Sequence, residues 1–229
     1  MRKISRSLLV FLGGICLVLS SFSISGADPP KVYDAESIYA FAQNATFYIR
    51  VFRADGTLKD TGTGFVVKQD GTALTAAHVV HEGERIACVL HDGTVDESCR
   101  VVSQDETTDS AVLQLSPSGI GGPKETYEYL NLRAGGVKHG EKVFAIGYPM
   151  KETKIITEGI VNSPKAQING RDRILVSAQI VNGMSGGPIL DKTGDVVGII
   201  SGSLRTMNNI HLVVNTEDMN SILQVNATK

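Results

Sequence analysis

The stretch Asn182-Gly183-Met184-Ser185-Gly186-Gly187-Pro188 constrains this chain more than any other. It sets a serine inside a tight, glycine-rich turn. Residues without a Cβ let the backbone bend sharply and come close to a bound molecule. Such a turn can aim the N–H groups of Gly183 and Ser185 at one point, and two donors converging beside a nucleophile stabilise negative charge as it develops. Taken alone, the stretch also reads as a Gly-Pro turn with an incidental serine.

A serine nucleophile needs a base, and the base needs a group to orient it. Upstream lies Leu74-Thr75-Ala76-Ala77-His78-Val79-Val80, and between the two lies Thr107-Thr108-Asp109-Ser110-Ala111-Val112-Leu113. The order His78, Asp109, Ser185 is the chymotrypsin order of the triad and not that of subtilisins or α/β-hydrolases. Asp105 is a rival for Asp109, but the strand that follows directly on Asp109 favours the latter. His81 and His91 read as solvated surface, and His139 falls in a connection. His211 falls in a late strand, and the sequence leaves open which face it takes.

These segments carry a resemblance. With Thr61-Gly62-Thr63-Gly64-Phe65-Val66-Val67, Val143 to Pro149 and Gly194 to Ile200, they make the chain resemble a trypsin-like serine protease, most of all the bacterial HtrA/Deg branch. The resemblance spans most of residues 45 to 215. It implies an all-β, chymotrypsin-like fold of two six-stranded antiparallel β-barrels, with short N-terminal and C-terminal helices. It also implies an exported serine endopeptidase acting on polypeptide. Members of that branch usually carry a PDZ domain after the protease; here the sequence is expected to lack one. Relatives often trimerise, so a homo-oligomer is expected from the resemblance alone.

The chain has 229 residues and a formal net charge of −2. Arg2, Lys3 and Arg6 precede the apolar run Leu8 to Leu19, and Ser25-Gly26-Ala27 offers small residues before Asp28. Residues 1–27 therefore read as a secretory signal peptide, with a retained anchor as the alternative. No other apolar run is long enough to span a bilayer, so no stable span is expected after cleavage. The expected location is periplasmic or secreted. An acidic remainder without a basic stripe argues against nucleic acid as a partner. No metal-ligand spacing and no cofactor motif stand out.

Beyond the leader, the divisions are residues 28–44 as tail and helix, 45–115 as the first barrel, 116–138 as the interlobe connection, and 139–229 as the second barrel and closing helix. Asp34 is placed to cap the first helix, which is expected to pack against the first lobe. Strands are expected at 46–52, 62–67, 72–75, 84–90, 95–104 and 110–115, then at 141–146, 154–161, 174–178, 188–190, 195–201 and 210–214. Thr216-Glu217-Asp218 is expected to cap a last helix running through Leu223. Cys88 and Cys99 flank an Asp92-Gly93 turn. If those two residues are the loop, Cys88 stands opposite Glu97 and Cys99 is its diagonal neighbour. In an exported protein a Cys88–Cys99 disulfide is expected, with two free thiols as the alternative.

By the resemblance, the pocket for the P1 side chain, which precedes the scissile bond, is lined by Gln179, Ile180, Ser201, Gly202 and Ser203. No carboxylate stands there, which disfavours Lys or Arg. Ile180 favours a small or medium aliphatic residue, and His211 keeps a glutamate reading open. Met184 occupies the position where trypsins hold an aspartate for zymogen activation, so no activating cut is expected. A catalytically silent binding module on the same fold and an esterase remain the alternatives to a peptidase.

Overall fold

The computed structural model describes residues 31–82, 85–119, 122–123, 126–151, 153–204 and 206–227; the leader of residues 1–27 and the tail Asp28-Pro29-Pro30 lie outside them. Helix α1 (Ala35–Ala42) is capped by Asp34, whose Oδ1 accepts from the Ser37 N–H at 2.8 Å. Seven strands follow: β1 (Thr46–Phe52), β2 (Leu58–Val66), β3 (Thr72–Thr75), β4 (Arg85–Val89), β5 (Val95–Asp96), β6 (Arg100–Asp105) and β7 (Ser110–Gln114), with the one-turn helix α2 (Ala77–Val80) after β3. A small ribbon of β8 (Ser118–Gly119) and β9 (Gly122–Pro123) stands in the connection. The second lobe comprises β10 (Lys142–Met150), β11 (Thr153–Ile168), β12 (Arg171–Val176), β13 (Pro188–Asp191), β14 (Val196–Ser203) and β15 (His211–Asn215), and α3 (Thr216–Ala227) follows.

The second lobe is a closed barrel in the order β10-β11-β12-β15-β14-β13. The first lobe is a seven-stranded sheet in the order β5-β4-β1-β2-β3-β7-β6, not a second closed barrel. Its two edges are β5, which is two residues long, and β6. Where hydrogen bonds do not close the sheet, a disulfide does. Cys88 on β4 is bonded to Cys99, the residue before β6, with the Cα atoms 6.0 Å apart. Both cysteines are buried.

Alternation builds the cores. In β1, Phe47, Ile49 and Val51 are buried while Arg50 and Phe52 are half-exposed. A buried side chain of that kind stabilises by about 1.5–3 kcal/mol. The apolar run of β14 is buried on both faces from Val196 to Ile200, as a strand between barrel core and α3 must be.

Four further expectations are corrected. The hairpin after β4 has Leu90 bonded to Thr94 and Gly93 at φ 84°, a three-residue loop, so Cys88 pairs with Asp96 and not with Glu97. Helix α1 packs on the second lobe: Phe41 lies over Gly194, and the Tyr33 N–H donates to Lys192 O at 2.8 Å. Strands β11 and β12 run on to Ile168 and Arg171 around a two-residue turn, Asn169-Gly170, both at positive φ. Finally, Asn215 caps α3, accepting from the Asp218 N–H at 2.9 Å, and the helix extends to Ala227. Among the described residues no helix is long and apolar enough to cross a membrane.

Candidate active site

His78 is carried on α2, immediately after the buried end of β3. Asp109 sits one residue before β7, at φ 62°. Left-handed backbone is uncommon for a residue with a side chain, although Asp tolerates it better than most. The conformation turns the carboxylate back over α2. Asp109 Oδ1 accepts from the His78 main-chain N–H at 3.0 Å, and His78 Nδ1 lies 3.0 Å from both carboxylate oxygens. A carboxylate only accepts, so Nδ1 carries the proton, and in the neutral ring Nε2 is left as the acceptor. Asp105 is occupied elsewhere, accepting from the Thr107 N–H and the Thr108 hydroxyl in its own turn.

The electrostatics follow from this contact. Burial opposes charge on His78, but the hydrogen bond and charge of Asp109, aided by Asp60, raise its pKa above 6.5. Burial also opposes charge on Asp109. The His78 hydrogen bond and charge, and then the Ser201 hydroxyl, outweigh it and hold the carboxyl below 3.8.

Ser185 belongs to the segment between β12 and β13, and the first lobe holds it in place. The Thr63 N–H donates to Ser185 O at 2.8 Å, and Thr63 Oγ1 donates to Gly183 O at 2.8 Å. The same hydroxyl accepts from the Tyr148 N–H at 3.0 Å, and Thr63 O accepts from Thr75 Oγ1 at 2.8 Å. From the second lobe, the Gly186 N–H donates to Ile200 O at 2.8 Å, and the Ile200 N–H returns to Gly187 O at 2.9 Å. A Cβ on Gly186 would lie 2.1 Å from Thr75 Oγ1 and 2.2 Å from Thr63 O, so only glycine fits. The Ser185 turn is thus packed against the strand end that leads into His78.

The preceding turn, Val181 to Met184, is closed by the Met184 N–H donating to Val181 O at 3.1 Å, with Gly183 at φ 92° in its third position. That is type II geometry, which needs glycine there. The N–H groups of Gly183 and Ser185 find no acceptor among the described residues. No hydrogen bond joins His78 Nε2 to Ser185 Oγ among them either, in keeping with contacts that tighten only around a substrate. Met184 itself is fully buried beside Gly147, in the core of the second lobe.

Of the five residues expected to line the P1 pocket, Ile180 and Ser203 converge on the imidazole of His211, and Gln179 is held through its carbonyl by Thr157 Oγ1 at 2.7 Å. Ser201 is turned away from that pocket. Its hydroxyl donates to Asp109 Oδ2 at 2.5 Å, a contact across 92 residues that no local pattern announces. Gly202 lies between Ser201 and Ser203 on β14, opposite Leu212. Beside His78, a cavity of about 290 Å³ is lined by Ala77, His78, His81, Glu106, Asp109 and Arg171. An apolar depression of about 620 Å³ is formed by Pro149, Met150, Ile155, Val181 and Asn182.

Residues 62–199, more than half of the chain, match the family described as the trypsin-like peptidase domain. The chain belongs to the trypsin-like peptidase family. Within it, the similarity runs to the HtrA/DegP type. The trypsin-like chain is 35% identical over 142 residues to a "probable periplasmic serine endoprotease DegP-like" of Brucella suis, covering 60% of this chain and 26% of that one. It is 34% identical over 148 residues to the serine protease HTRA1 of Xenopus laevis, covering 61% and 30%. It therefore spans less than a third of the length of either relative. The crystal structure of a serine endoprotease from Yersinia pestis superposes with a TM-score of 0.73 over 84% of this chain and 66% of that one, at 23% identity. That likeness establishes the chymotrypsin-like fold of the trypsin-like chain.

Proposed function

We propose that this protein is an exported serine endopeptidase of the HtrA type. The observation that carries the reading is the His78–Asp109 contact, with the Ser185 turn packed on the same strand end and two backbone N–H groups without an acceptor among the described residues. Ser185 Oγ attacks the carbonyl carbon of a peptide bond while His78 Nε2 takes its proton. The carbonyl oxygen becomes an oxyanion and accepts from Gly183 and Ser185 N–H. His78 then gives the proton to the leaving amine, and water repeats the sequence to release the acyl group. Asp109 keeps the ring in one tautomer and stabilises the imidazolium.

An extended or unfolded polypeptide with an aliphatic residue at P1 is the proposed substrate. Its support is that Ile180 is nearly buried and that His211, with both ring nitrogens engaged by Ile180 and Ser203, has no donor left for a glutamate. A buried Met184 supports activity without a further cut, because the position before Ser185 holds an apolar side chain and not a carboxylate that a new N-terminus could pair with. The export reading is supported by the leader-like sequence and by relatives named as periplasmic.

A fluorophosphonate probe on the protein beginning at Asp28 tests the reading. Labelling of Ser185 with cleavage of unfolded casein, both lost in Ser185→Ala, is the expected result. Labelling without cleavage turns the reading to an esterase, and no labelling turns it to a binding module.

A further inference from the structure

His211 is the one histidine of the five whose residue is buried, at 6% exposure. It opens β15 between Val176 of β12 and Ser203 of β14. The Ile180 main-chain N–H donates to its Nε2 at 3.4 Å, and its Nδ1 lies 2.8 Å from Ser203 Oγ. A ring that accepts at Nε2 carries its proton on Nδ1, so Nδ1–H donates to the Ser203 hydroxyl. Burial keeps the group neutral by lowering its pKa from 6.5. Val176, Ile180 and Ser203, which face it from the three neighbouring segments, carry no charge.

Its two partners come from different segments, and both belong to the P1 lining that the resemblance implies. Ile180 stands five residues before the serine, in a segment anchored on its other side by Thr157 Oγ1 on Gln179 O. Ser203 ends β14, the strand bonded to the Ser185 turn through Ile200. One imidazole therefore ties the segment before Ser185 to the end of β14. We propose that His211 is a positioning residue that sets the width of the P1 pocket by holding Ile180 and Ser203 at a fixed separation. The inference rests on the peptidase reading above. It assigns the imidazole to the protein's own walls and not to the substrate. A larger P1 side chain enters only if one of the two bonds is given up, and a carboxylate meets no free donor on the ring.

A peptide library scanned at P1 tests this in three variants of the protein beginning at Asp28. His211→Gln keeps one acceptor and one donor on an uncharged side chain. His211→Leu keeps bulk and removes both. Ser203→Ala removes a single exposed partner and leaves the core untouched. Wild type should prefer Val to Phe. In His211→Leu the ratio of kcat/KM for Val over Phe should fall about tenfold, chiefly through KM, since a pocket discriminates by roughly that factor per fitted methylene. His211→Gln should restore the ratio to within about threefold, and Ser203→Ala should move it the same way as Leu by less.

A role confined to stability would lower the melting temperature and reduce turnover of all peptides alike, leaving the ratio unchanged. An unchanged ratio in His211→Leu and Ser203→Ala, with Ser185 still labelled by the fluorophosphonate, overturns the inference and spares the peptidase reading. If His211→Leu fails to fold, Ser203→Ala and His211→Gln decide it. A wild-type preference for Glu that disappears in His211→Gln also overturns it, because the ring would then be binding substrate. Absence of labelling in wild type sinks the peptidase reading itself.

Discussion

Asp109 Oδ1 is shared between two donors of one residue, the ring Nδ1 and the main-chain N–H of His78, each at 3.0 Å. The carboxylate therefore fixes the helix turn that bears the imidazole as well as the imidazole itself.

Asp109→Asn separates these two duties. An amide oxygen still accepts from the main-chain N–H, so α2 stays in place. The amide nitrogen then faces Nδ1 and forces the proton to Nε2, where it blocks the base. The expected result is a fall in kcat of about 10⁴-fold, the size seen when this tautomer is lost in other triads, with KM little changed. Steady-state kinetics on a cleavable peptide checks it.

The same pair predicts a pH profile. His78 titrates above 6.5 in the folded protein, so kcat/KM should rise with pH along a limb centred above 6.5, and Asp109→Asn should move that limb down. For stability, the raised His78 contributes fully below 6.5 and loses its contribution as pH rises through the folded value. The depressed Asp109 contributes above 3.8 and loses its contribution as pH falls through its folded value. The stability difference between wild type and Asp109→Asn should therefore be largest between pH 3.8 and 6.5, read by denaturant titration at several pH values.

Ser201→Ala removes a neutral donor from a buried carboxylate. Such a bond is worth about 1.5–3 kcal/mol, so kcat should drop roughly 10- to 100-fold while the P1 preference is retained. A change of P1 preference without loss of rate would contradict the assignment of this hydroxyl to Asp109.

Gly186→Ala should be costly, because φ is 85° and the new Cβ would lie 2.1 Å from Thr75 Oγ1 and 2.2 Å from the Thr63 carbonyl oxygen. Strain and overpacking together predict a loss of about 3 kcal/mol or more, with labelling of Ser185 lost. Gly56→Ala is the control. It has a similar φ of 80° but nothing within 4 Å, so about 1 kcal/mol is expected. Thermal unfolding of both variants gives the comparison.

The Cys88–Cys99 bond closes a loop with a sequence separation of 11. Its chain-entropy contribution is on the order of 2–3 kcal/mol. Reduction, or the Cys88→Ser/Cys99→Ser pair, should lower the urea midpoint accordingly and loosen β5 and β6 first, since each is an edge strand paired on one side only. Hydrogen exchange along Arg100–Asp105 reads that directly.

The candidate site was legible wherever one residue type does one chemical job. His78, Asp109 and the glycines around Ser185 announce themselves by type and order. Ser201 did not, because a serine at a strand end has no signature that says which carboxylate, 92 residues away, it will meet. The hairpin register differs by one because Asp-Gly serves two-residue and three-residue loops alike, with Gly93 at positive φ in both; Asp92, which is not at positive φ, is what separates them. Asn169-Gly170 is the stronger hairpin signal, but the exposed polar residues of β11 hide the alternation that would announce its strands. The apolar stripe of α1 declared that Ile38 and Ala42 would be buried but could not declare which lobe would bury them. Closure of the first sheet depended on how long β5 would be, which pairing partners decide and propensity does not.

Thr63 lies 120 residues before Gly183, yet its hydroxyl and main chain hold the Ser185 turn from the other lobe. On a ribosome, Thr63, His78 and Asp109 emerge while the serine is still unmade. A half-finished chain thus carries a base with nothing to activate. The turn has its anchor only after the late strands have been made and have docked on the early ones. On the proposed reading, the serine is presented to His78 only after the two lobes have met, so the cut a nascent copy could make waits on its own folding.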